Sequence, residues 1–580
     1  MNPVFPHLCL LSALFLVMGC QKQEATTEQS VKPADVTEPE IEIPTVLNDP
    51  IEFIDVSQAW GFSFQRNDDI GKLHRIIESN GGGVGVIDFD CDGWEDLIYT
   101  NGCQLPVNSN PVGEPDFLVR NLGGNGVVDV RLAAGVTQVG YHHGCTVGDW
   151  NNDGFDDLYI AGLGRNLFYV NNGDGTFREM SAELNIEVRG WSSSPAFADL
   201  DSDGNLDLYV TNYVLTGDDP PRLCADANAP DGYITCPPTV FEGAPDVCLR
   251  SDGAGQLENV TQKWKLIGDV PKGLGCLIAD VNQDGRPDVY VANDGVPNFL
   301  FMGNSGEDAY TEEAFIRGCA ADGFGRSQAS MGIAHGDYDR NGYLDLYVAH
   351  FYSESNTLYR GNSDGYFEDQ TKQAKLNSQT LQYLAFGTLF IDPDNDGWLD
   401  LFAANGHIDD MRWRVNSLPY EMTPQLFRNN HDGIFNEISS AAGPYFREKW
   451  LGRGAVAVDL NHDGRVDLSV SHQLAPSSIL LNETPAGESL SIRCIGVDSN
   501  RSGISTKLFL ETDEGVRYHE IVGGGSYNSA SDRRAHFGLG ESVMKSLTIQ
   551  WPSGNQDVIA NIGTGRVTII EGGRVLSEYQ

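Results

Sequence analysis

The nonapeptide Asp88-Phe-Asp-Cys-Asp-Gly-Trp-Glu-Asp96 organises this chain, because its pattern occurs seven times. Side chains that carry oxygen atoms occupy positions 1, 3, 5 and 9 of every copy, and glycine always occupies position 6. A hard cation such as calcium takes about six to eight oxygen ligands, and carboxylates on alternate residues of a tight loop supply them. Glycine at position 6 allows the backbone conformation that such a loop requires. The repeat therefore predicts up to seven calcium loops.

The candidate metal ligands are the residues at positions 1, 3, 5 and 9 of the seven loops. Aspartate fills 24 of these 28 positions and asparagine fills the other four. Loop by loop they are Asp88, Asp90, Asp92 and Asp96; Asp149, Asn151, Asp153 and Asp157; Asp199, Asp201, Asp203 and Asp207; Asp280, Asn282, Asp284 and Asp288; Asp337, Asp339, Asn341 and Asp345; Asp392, Asp394, Asp396 and Asp400; and Asp459, Asn461, Asp463 and Asp467. Because each asparagine removes one ligand charge, we expect the four loops that contain one to bind calcium more weakly than the three all-aspartate loops.

Two other structures share part of this pattern. The EF-hand has the same first half, but it requires a glutamate at position 12 and a helix on each side. Position 12 here is tyrosine, isoleucine, valine or alanine, and the residues after each loop, such as Leu158-Tyr-Ile160, are typical of strands. A plain hairpin turn also combines aspartate with glycine. Seven copies with a constant ninth aspartate favour cation binding over a plain turn.

The strands around the loops come in groups of four. Each loop joins a first strand to a second, and a third strand leads through a turn to a fourth with a shared signature, as in Phe177-Arg-Glu-Met-Ser181. Such units, repeating every 50 to 81 residues, predict propeller blades. The seventh unit lacks its fourth strand, which Phe53-Ile-Asp-Val-Ser57 would supply, closing the ring. An open solenoid is the alternative. We predict an all-β fold, with a seven-bladed β-propeller over 51–485 and a small β domain over 486–580.

Composition narrows the class of partner. The chain has 580 residues and a formal net charge of −44. Seven divalent ions carry fourteen positive charges and would bring the net charge only to −30, so the remaining acidity predicts a solvated acidic surface. Such a surface argues against nucleic acid as a partner. The sequence contains no Gly-x-Ser-x-Gly, no CxxC and no phosphate-binding glycine loop, so it identifies no catalytic residues and no organic cofactor.

The first twenty residues predict a lipoprotein signal peptide. The apolar run 8–18 is too short to span a bilayer and is typical of an export signal. The stretch Val17-Met-Gly-Cys20 resembles a bacterial lipobox, in which the cysteine is lipidated and becomes the mature N-terminus. Gln21 resembles the residue found in lipoproteins that are sorted to the outer membrane. We therefore expect membrane attachment through a lipid on Cys20.

Residues 21–50 are rich in Glu, Thr, Pro and Gln without an apolar period, which predicts a disordered linker. Together with the signal peptide, this segment indicates an exported protein held at the outer membrane, at the cell surface or in the periplasm. Ordinary signal cleavage that yields a secreted protein is the alternative, because no Lys or Arg precedes the apolar run.

Cysteines are concentrated in an insertion between the third and fourth loops, which contains Cys224, Cys236 and Cys248. Such an insertion cannot bury itself, so we expect one disulfide, formed in an oxidising compartment, between two of these three residues. Cys145 and Cys276 each lie four residues before a loop. We expect them at equivalent buried positions of first strands.

A set of polar residues follows the second strands, on the predicted face opposite the loops. They are Asn101, Asn212, Asn293, His350, Asn405 and His472. Small ligands often bind at a propeller mouth, so this set makes an exported enzyme or a carbohydrate-binding protein the alternative function. The interpretation that these side chains only cap strands and turns is favoured.

The C-terminal residues carry a family resemblance. Asn500-Arg-Ser-Gly-Ile504, Gly523-Gly-Gly-Ser-Tyr527, His536-Phe-Gly-Leu-Gly540 and Trp551-Pro-Ser-Gly554 resemble the ASPIC/UnbV domain. The loops and strands before them resemble the FG-GAP repeats of integrin α subunits and the related bacterial VCBS-type repeats. Together they are similar to the cartilage acidic protein family.

This resemblance implies calcium-dependent folding outside the cytoplasm, and it supplies no catalytic residues. We predict a calcium-binding surface protein that acts as a binding, adhesion or scaffolding module. Its expected partner is an extracellular or envelope protein or a glycan.

Overall fold

The computed structural model describes residues 50–577, apart from 185, 187, 189, 216–221 and 306–308. The predicted signal peptide, Cys20 and nearly all of the predicted linker lie outside the described residues. Within the described part, helices are limited to Ala314–Arg317, Leu376–Thr380 and four 3-10 turns, at Ile76–Ser79, Pro238–Val240, Ser439–Ala441 and Tyr445–Arg447. The all-β prediction is confirmed.

Thirty strands of the described residues precede the C-terminal domain. In chain order they are β1 (Phe53–Asp55); β2 to β5 (Val84–Ile87, Asp96–Tyr99, Phe117–Asn121, Val127–Asp129); β6 to β9 (Tyr141–Gly148, Asp157–Leu163, Leu167–Asn171, Phe177–Glu179); β10 to β15 (Ser192–Ala198, Asp207–Asn212, Cys224–Ala225, Tyr233–Ile234, Val247–Ser251, Leu257–Asn259); β16 to β19 (Gly273–Ala279, Asp288–Asn293, Phe299–Gly303, Tyr310–Glu312); β20 to β23 (Ile333–Gly336, Asp345–Val348, Thr357–Gly361, Phe367–Asp369); β24 to β27 (Ala385–Ile391, Asp400–Asn405, Gln425–Asn429, Phe435–Glu437); and β28 to β30 (Gly452–Val458, Asp467–His472, Ser478–Asn482).

These strands form seven antiparallel sheets of four strands, which we call the repeat sheets, and β12 and β13 form a separate hairpin. Strand β1 pairs with β30, with Phe53 opposite Asn482, so the N-terminal segment supplies the fourth strand of the seventh repeat sheet. The first strand of each repeat sheet contacts the first strand of the next. Strand β28 of the seventh sheet contacts β2 of the first.

The strands next to the loops are apolar on both faces because each repeat sheet packs between two others. In the second sheet, Leu158 and Ile160 pack with Ile98 of the preceding sheet. Tyr159, which points to the opposite face, packs with Phe197 of the following sheet. Burial of each such side chain contributes about 1.5–3 kcal/mol. Consecutive apolar residues of such a strand point to alternate faces and therefore pack against both neighbouring sheets instead of facing solvent.

Nine strands lie in the C-terminal domain as far as residue 577, where the described part ends. They are β31 (Glu488–Ile495), β32 (Lys507–Thr512), β33 (Val516–Glu520), β34 (Gly523–Gly524), β35 (Ala535–Gly540), β36 (Met544–Gln550), β37 (Gln556–Ala560), β38 (Gly565–Ile570) and β39 (Arg574–Ser577). Two four-stranded sheets have the orders β35-β31-β38-β39 and β33-β32-β36-β37, with β31 and β38 parallel. Strand β34 instead joins β16 in the fourth repeat sheet.

Residues 523–532, which we call the central segment, run among the first strands of the repeat sheets. The backbones of Ser526 and Ile333 exchange two hydrogen bonds of 2.6 and 2.9 Å. The backbone of Ala530 exchanges two more, of 2.9 Å each, with Val84 and Val86.

Further contacts bring the central segment to every repeat sheet. The backbone oxygen of Asn528 accepts the Cys145 N–H at 3.1 Å, and the backbone N–H of Asn528 donates to the Ser194 hydroxyl at 3.1 Å. The ring of Tyr527 packs edge-on against Phe386 of β24. The Ser526 hydroxyl donates to the backbone oxygen of Ala455, in the first strand of the seventh sheet, at 2.7 Å. The central segment therefore contacts the first strand of all seven sheets.

Candidate metal centres

All seven loops have the same closed conformation. The carboxylate at position 1 accepts the backbone N–H of the glycine at position 6, at distances between 2.6 and 3.2 Å. Each of these glycines has a φ between 81° and 99°, the left-handed region that favours glycine. The glycine that is constant among the seven loops is thus explained by the turn that brings the later ligands back toward position 1.

The aspartate at position 9 joins each loop to its sheet. It is the first residue of the second strand and is buried in all seven sheets. In the second loop, Asp157 accepts the Trp150 N–H at 3.1 Å and the Asn171 N–H at 2.8 Å, the latter from the third strand. The sixth loop has Pro393 at position 2, which has no N–H, and Asp400 Oδ2 has no hydrogen-bond partner in the described part of the chain.

Four loops bring three carboxylates together so closely that they could hold a metal ion. One ligand atom from each residue lies within 4.8 Å of the others in these groups: Asp88, Asp90 and Asp96; Asp199, Asp201 and Asp203; Asp337, Asp339 and Asp345; Asp392, Asp394 and Asp396. These are the loops with aspartate at position 3. The other three loops have asparagine there, and its amide oxygen is also a ligand that calcium accepts.

The clustered carboxylates are electrostatically strained without a cation. Burial, together with the neighbouring carboxylates, raises the pKa of Asp88 to about 6 and that of Asp96 to about 9. The pKa of Asp199 rises to about 7 for the same reasons. In addition, Asp88 Oδ1 and Asp90 Oδ1 are buried without a hydrogen-bond partner among the described residues. A divalent cation would relieve the repulsion and bind these oxygens, so the donor set fits calcium.

Four arginines next to the loops were missed by the sequence reasoning. They lie at the fourth position of a third strand and pair with the aspartate at position 3: Arg120 with Asp90, Arg250 with Asp201, Arg360 with Asp339, and Arg428 with Asp394. The three loops with asparagine at position 3 have an apolar residue at that strand position, namely Val170, Met302 or Leu481.

This correlation could have been found in the sequence, because arginine occurs there only where position 3 is aspartate. Each arginine offsets the extra charge of its loop. The weaker binding expected for the asparagine-containing loops stays a prediction, but the arginines reduce the difference that we expect.

Basic residues of the C-terminal domain contact the position 1 aspartates of the same three loops. Lys507 pairs with Asp280. Arg501 lies 3.8 Å from Asp149, and Arg566 lies 3.6 Å from Asp459. The C-terminal domain therefore supplies part of the positive charge around the loops, which the sequence pattern of the repeats alone did not show.

Glu95, at position 8 of the first loop, is the centre of a buried ion cluster. Burial would raise its pKa, but His462 at 2.8 Å, Arg566 at 2.5 Å and Arg534 at 3.1 Å lower the pKa to about 2. These partners come from the seventh loop and from the C-terminal domain. The cluster therefore fixes the domain against the first and seventh repeat sheets.

The predicted polar ring opposite the loops is not exposed. All six of its members are buried. Asn212 and Asn293 donate to the backbone oxygens of Pro245 and Pro297 at 2.7 and 3.0 Å, just before the third strands. His472 contacts the hydroxyl of Tyr445 at 2.9 Å. The structure thus places these side chains inside the sheets, where they fix connections as caps.

The insertion contains the expected disulfide, which joins Cys224 and Cys236 with their Cα atoms 5.3 Å apart. Cys248 is a free, buried residue of β14, so the alternatives that include it are wrong. Cys145 and Cys276 are buried in the first strands β6 and β16, as predicted. Among the described residues, no helix is both long and apolar enough to cross a membrane.

Two family models match the chain. The model described as FG-GAP-like repeat matches residues 149–210, 280–348, 337–403 and 392–470, and the model described as ASPIC and UnbV matches residues 496–575. The first model covers the second to seventh loops, and the second covers most of the C-terminal domain.

Relatives match over most of the chain. Cartilage acidic protein 1 of Homo sapiens is 22% identical over an alignment of 527 positions that covers 84% of this chain and 71% of that protein. The Xenopus tropicalis protein of the same name is 24% identical over an alignment of 502 positions that covers 81% of this chain and 70% of that protein. Among solved structures, the V. cholerae biofilm matrix protein Bap1 aligns with a TM-score of 0.31 at 11% identity, covering 88% of this chain and 76% of that one.

Proposed function

We propose that this chain, which carries FG-GAP-like repeats and an ASPIC and UnbV domain, is an exported binding protein whose fold depends on calcium. The chain is homologous to cartilage acidic protein 1. The observation that carries this proposal is the set of seven closed loops, four of which bring three carboxylates close together. An unfilled set of this kind opposes folding, because like charges at short range repel.

Calcium would be held by the side chains at positions 1, 3, 5 and 9 of each loop. Position 7, whose residue type varies from loop to loop, would contribute its backbone oxygen. When bound, calcium supplies two positive charges per loop. The chain's own residues close the loop through glycine 6 and anchor it to the sheet through aspartate 9.

The proposed partner binds at the outer surface of the protein. The predicted polar ring is buried, so it offers no exposed site to a ligand. This geometry lowers the support for the alternative, an exported enzyme or a carbohydrate-binding protein that uses that ring. The proposed partner is an extracellular or envelope protein or a glycan, bound by exposed loops.

An affinity screen of residues 21–580 against glycans and envelope proteins tests this role. We expect a partner that binds in the presence of calcium, is released by a chelator and binds again when calcium is restored, because the outer loops keep their shape only in the calcium-loaded fold. Magnesium at the same concentration serves as the control cation. A partner that binds equally well in chelator would contradict the proposed calcium dependence, and a turnover that persists in purified protein would favour the enzyme.

We propose further that the mature protein is attached by a lipid on Cys20. The linker that follows has thirty residues, which would hold the fold at an average of roughly 30 Å from the membrane. We expect Cys20→Ser to move most of the protein from the membrane fraction to the soluble fraction. Cys9→Ser, in the same N-terminal segment, is the matched control and should leave the protein in the membrane fraction. Retention of the Cys20→Ser variant in membranes would exclude this attachment.

A further inference from the structure

The residue at position 4 of each loop has an unusual backbone conformation. These residues are not glycine, yet all seven have a positive φ, between 53° and 59°. They are Cys91, Asn152, Ser202, Gln283, Arg340, Asn395 and His462. The conformation is the same in every loop, so differences between loops come from the side chain at this position.

In four loops the position 4 side chain donates a hydrogen bond to the next loop. The acceptor is always the backbone oxygen of the glycine at position 6: Asn152 to Gly204 at 3.0 Å, Gln283 to Gly342 at 2.8 Å, Arg340 to Gly397 at 3.0 Å, and Asn395 to Gly464 at 3.0 Å. The link thus runs from the second loop to the third and, without a break, from the fourth loop to the seventh.

The seventh loop is linked to the first by a different contact of the same residue position. His462 contacts Glu95 at 2.8 Å and stacks on the ring of Trp94 with centroids 3.9 Å apart. These two residues occupy positions 8 and 7 of the first loop. The chain of links therefore continues from the fourth loop through the seventh to the first.

Two links are absent. Position 4 of the first loop is Cys91 and that of the third loop is Ser202, both with short side chains. Neither makes a hydrogen bond to the following loop in the described part of the chain; the nearest polar contact of Cys91 is to Asp88 O of its own loop, at 4.0 Å. The links therefore divide the seven loops into a group of two, the second and third, and a group of five, the fourth to seventh with the first.

We propose that these position 4 side chains couple calcium binding between neighbouring loops. The inference rests on the proposed function, because it requires that the loops bind calcium. The carbonyl of glycine 6 belongs to the peptide that leads to position 7, whose own carbonyl is an expected ligand. A loop that calcium has ordered holds its position 4 side chain in place, and that side chain orients the ligand-bearing peptide of the next loop before calcium arrives.

Positive cooperativity within each group follows from this coupling. A single hydrogen bond of this kind changes the affinity of the next loop by about fivefold. Gln283 is the cleanest residue to change, because the backbone oxygen of Gly342 is the only hydrogen-bond partner of its side chain among the described residues. In contrast, Arg340 also stacks on Trp398, and Asn395 also donates to Gly487.

Native mass spectrometry of the full mature chain, titrated with calcium, tests the proposal by counting the bound ions on each molecule. For the parent protein we expect counts of two, five and seven ions to be more populated than independent binding gives, because each link favours loading of the next loop within its group. Gln283→Ala should separate the fourth loop from its group, weaken the fifth loop about fivefold and populate intermediate counts, with the final count unchanged. Gln283→Arg, which places the residue of the fifth loop at this position, should restore a donor and the parent distribution.

A gain of coupling is the complementary test. Ser202→Asn introduces at the third loop the residue that links the second, and it should merge the two groups, so that the counts pass directly from low values to seven. Ser202→Ala is its matched control and should change nothing. Melting curves in saturating calcium check that every variant is folded.

The outcomes separate this inference from the proposed function. If the parent protein binds no calcium, the proposed function itself fails. If it binds calcium in statistical steps that neither Gln283→Ala nor Ser202→Asn alters, the loops bind independently and the coupling is wrong, while the proposed function stands.

Discussion

Removal of calcium with a chelator is expected to lower the melting temperature of the mature chain by roughly 20 °C. A site that binds only the folded state contributes about 2.7 kcal/mol when the free ligand is a hundredfold above its Kd. For a fold of this size, roughly 1 kcal/mol corresponds to a change of 1 °C. Seven sites therefore give the expected shift, and differential scanning calorimetry with chelator and with restored calcium measures it. An unchanged melting curve would exclude calcium as the support of the fold.

A single-loop variant shows whether the shift comes from the loops. Asp153→Asn keeps a side-chain oxygen that can accept the Phe155 N–H, a bond of 3.0 Å in the structure, but removes one ligand charge. We expect it to lower the melting temperature by about 2 °C in calcium and not at all in chelator, because only the loaded state uses the charge. Asp174→Asn, on an exposed turn outside the loops, is the matched control. Equal effects of Asp153→Asn in calcium and in chelator would point to a role in the empty loop.

Features that depend on nearby residues were predictable from the sequence. The spacing of aspartates and the constant glycine specified a closed loop, because the two groups that close it are near in sequence. In the second loop, the Gly154 N–H donates to the carboxylate of Asp149, only five residues away. The apolar triplets after the loops specified second strands for the same reason. The pairing of β1 with β30 could also be anticipated, since the seventh unit lacked one strand and the N-terminal segment had its signature.

Features that depend on distant residues could not be read from the repeats. Nothing near Asp280 indicates that Lys507, from the C-terminal domain, pairs with it. The polar residues after the second strands suggested a ligand ring because they recur at the same place in six units of the sequence. Only the fold shows that Asn212 donates to Pro245, which arrives from beyond the insertion.

The two triple-glycine stretches show the same limit. In the sequence, the glycines at 81–83 and 523–525 are notable only for lacking the residues of a phosphate site. In the structure, Gly83 lies against the central segment, and Gly523 belongs to that segment and lies against a first strand. A Cβ on Gly83 would lie 1.7 Å from Asn528 O, and one on Gly523 would lie 2.2 Å from Phe197 O. The glycines are required because two backbones approach each other more closely than any side chain permits.

The close approach at Gly83 provides the second large effect that we expect. Gly83 does not have a positive φ, so alanine there introduces no backbone strain, and its methyl group can be accommodated only if the central segment moves. Displacement would lose the bonds of Asn528 and Ala530 and expose Tyr527, which is fully buried and donates to Asn80 O at 3.1 Å. Removing a large aromatic side chain from a core costs about 3–5 kcal/mol, and forced overpacking adds about 1–3 kcal/mol.

We therefore expect Gly83→Ala to destabilise the calcium-loaded protein by about 5 kcal/mol and to make residues 523–532 accessible to protease, while the repeat sheets stay resistant. Gly563→Ala is the matched control, because a Cβ there has no atom within 4 Å. Urea unfolding in saturating calcium measures the change in stability, and mass spectrometry of a brief digest locates the cuts. If Gly83→Ala behaves like Gly563→Ala in both measurements, the central segment does not support the repeat sheets, and the C-terminal domain is an appendage. Cuts confined to 523–532 would instead show that this segment links the C-terminal domain to all seven sheets.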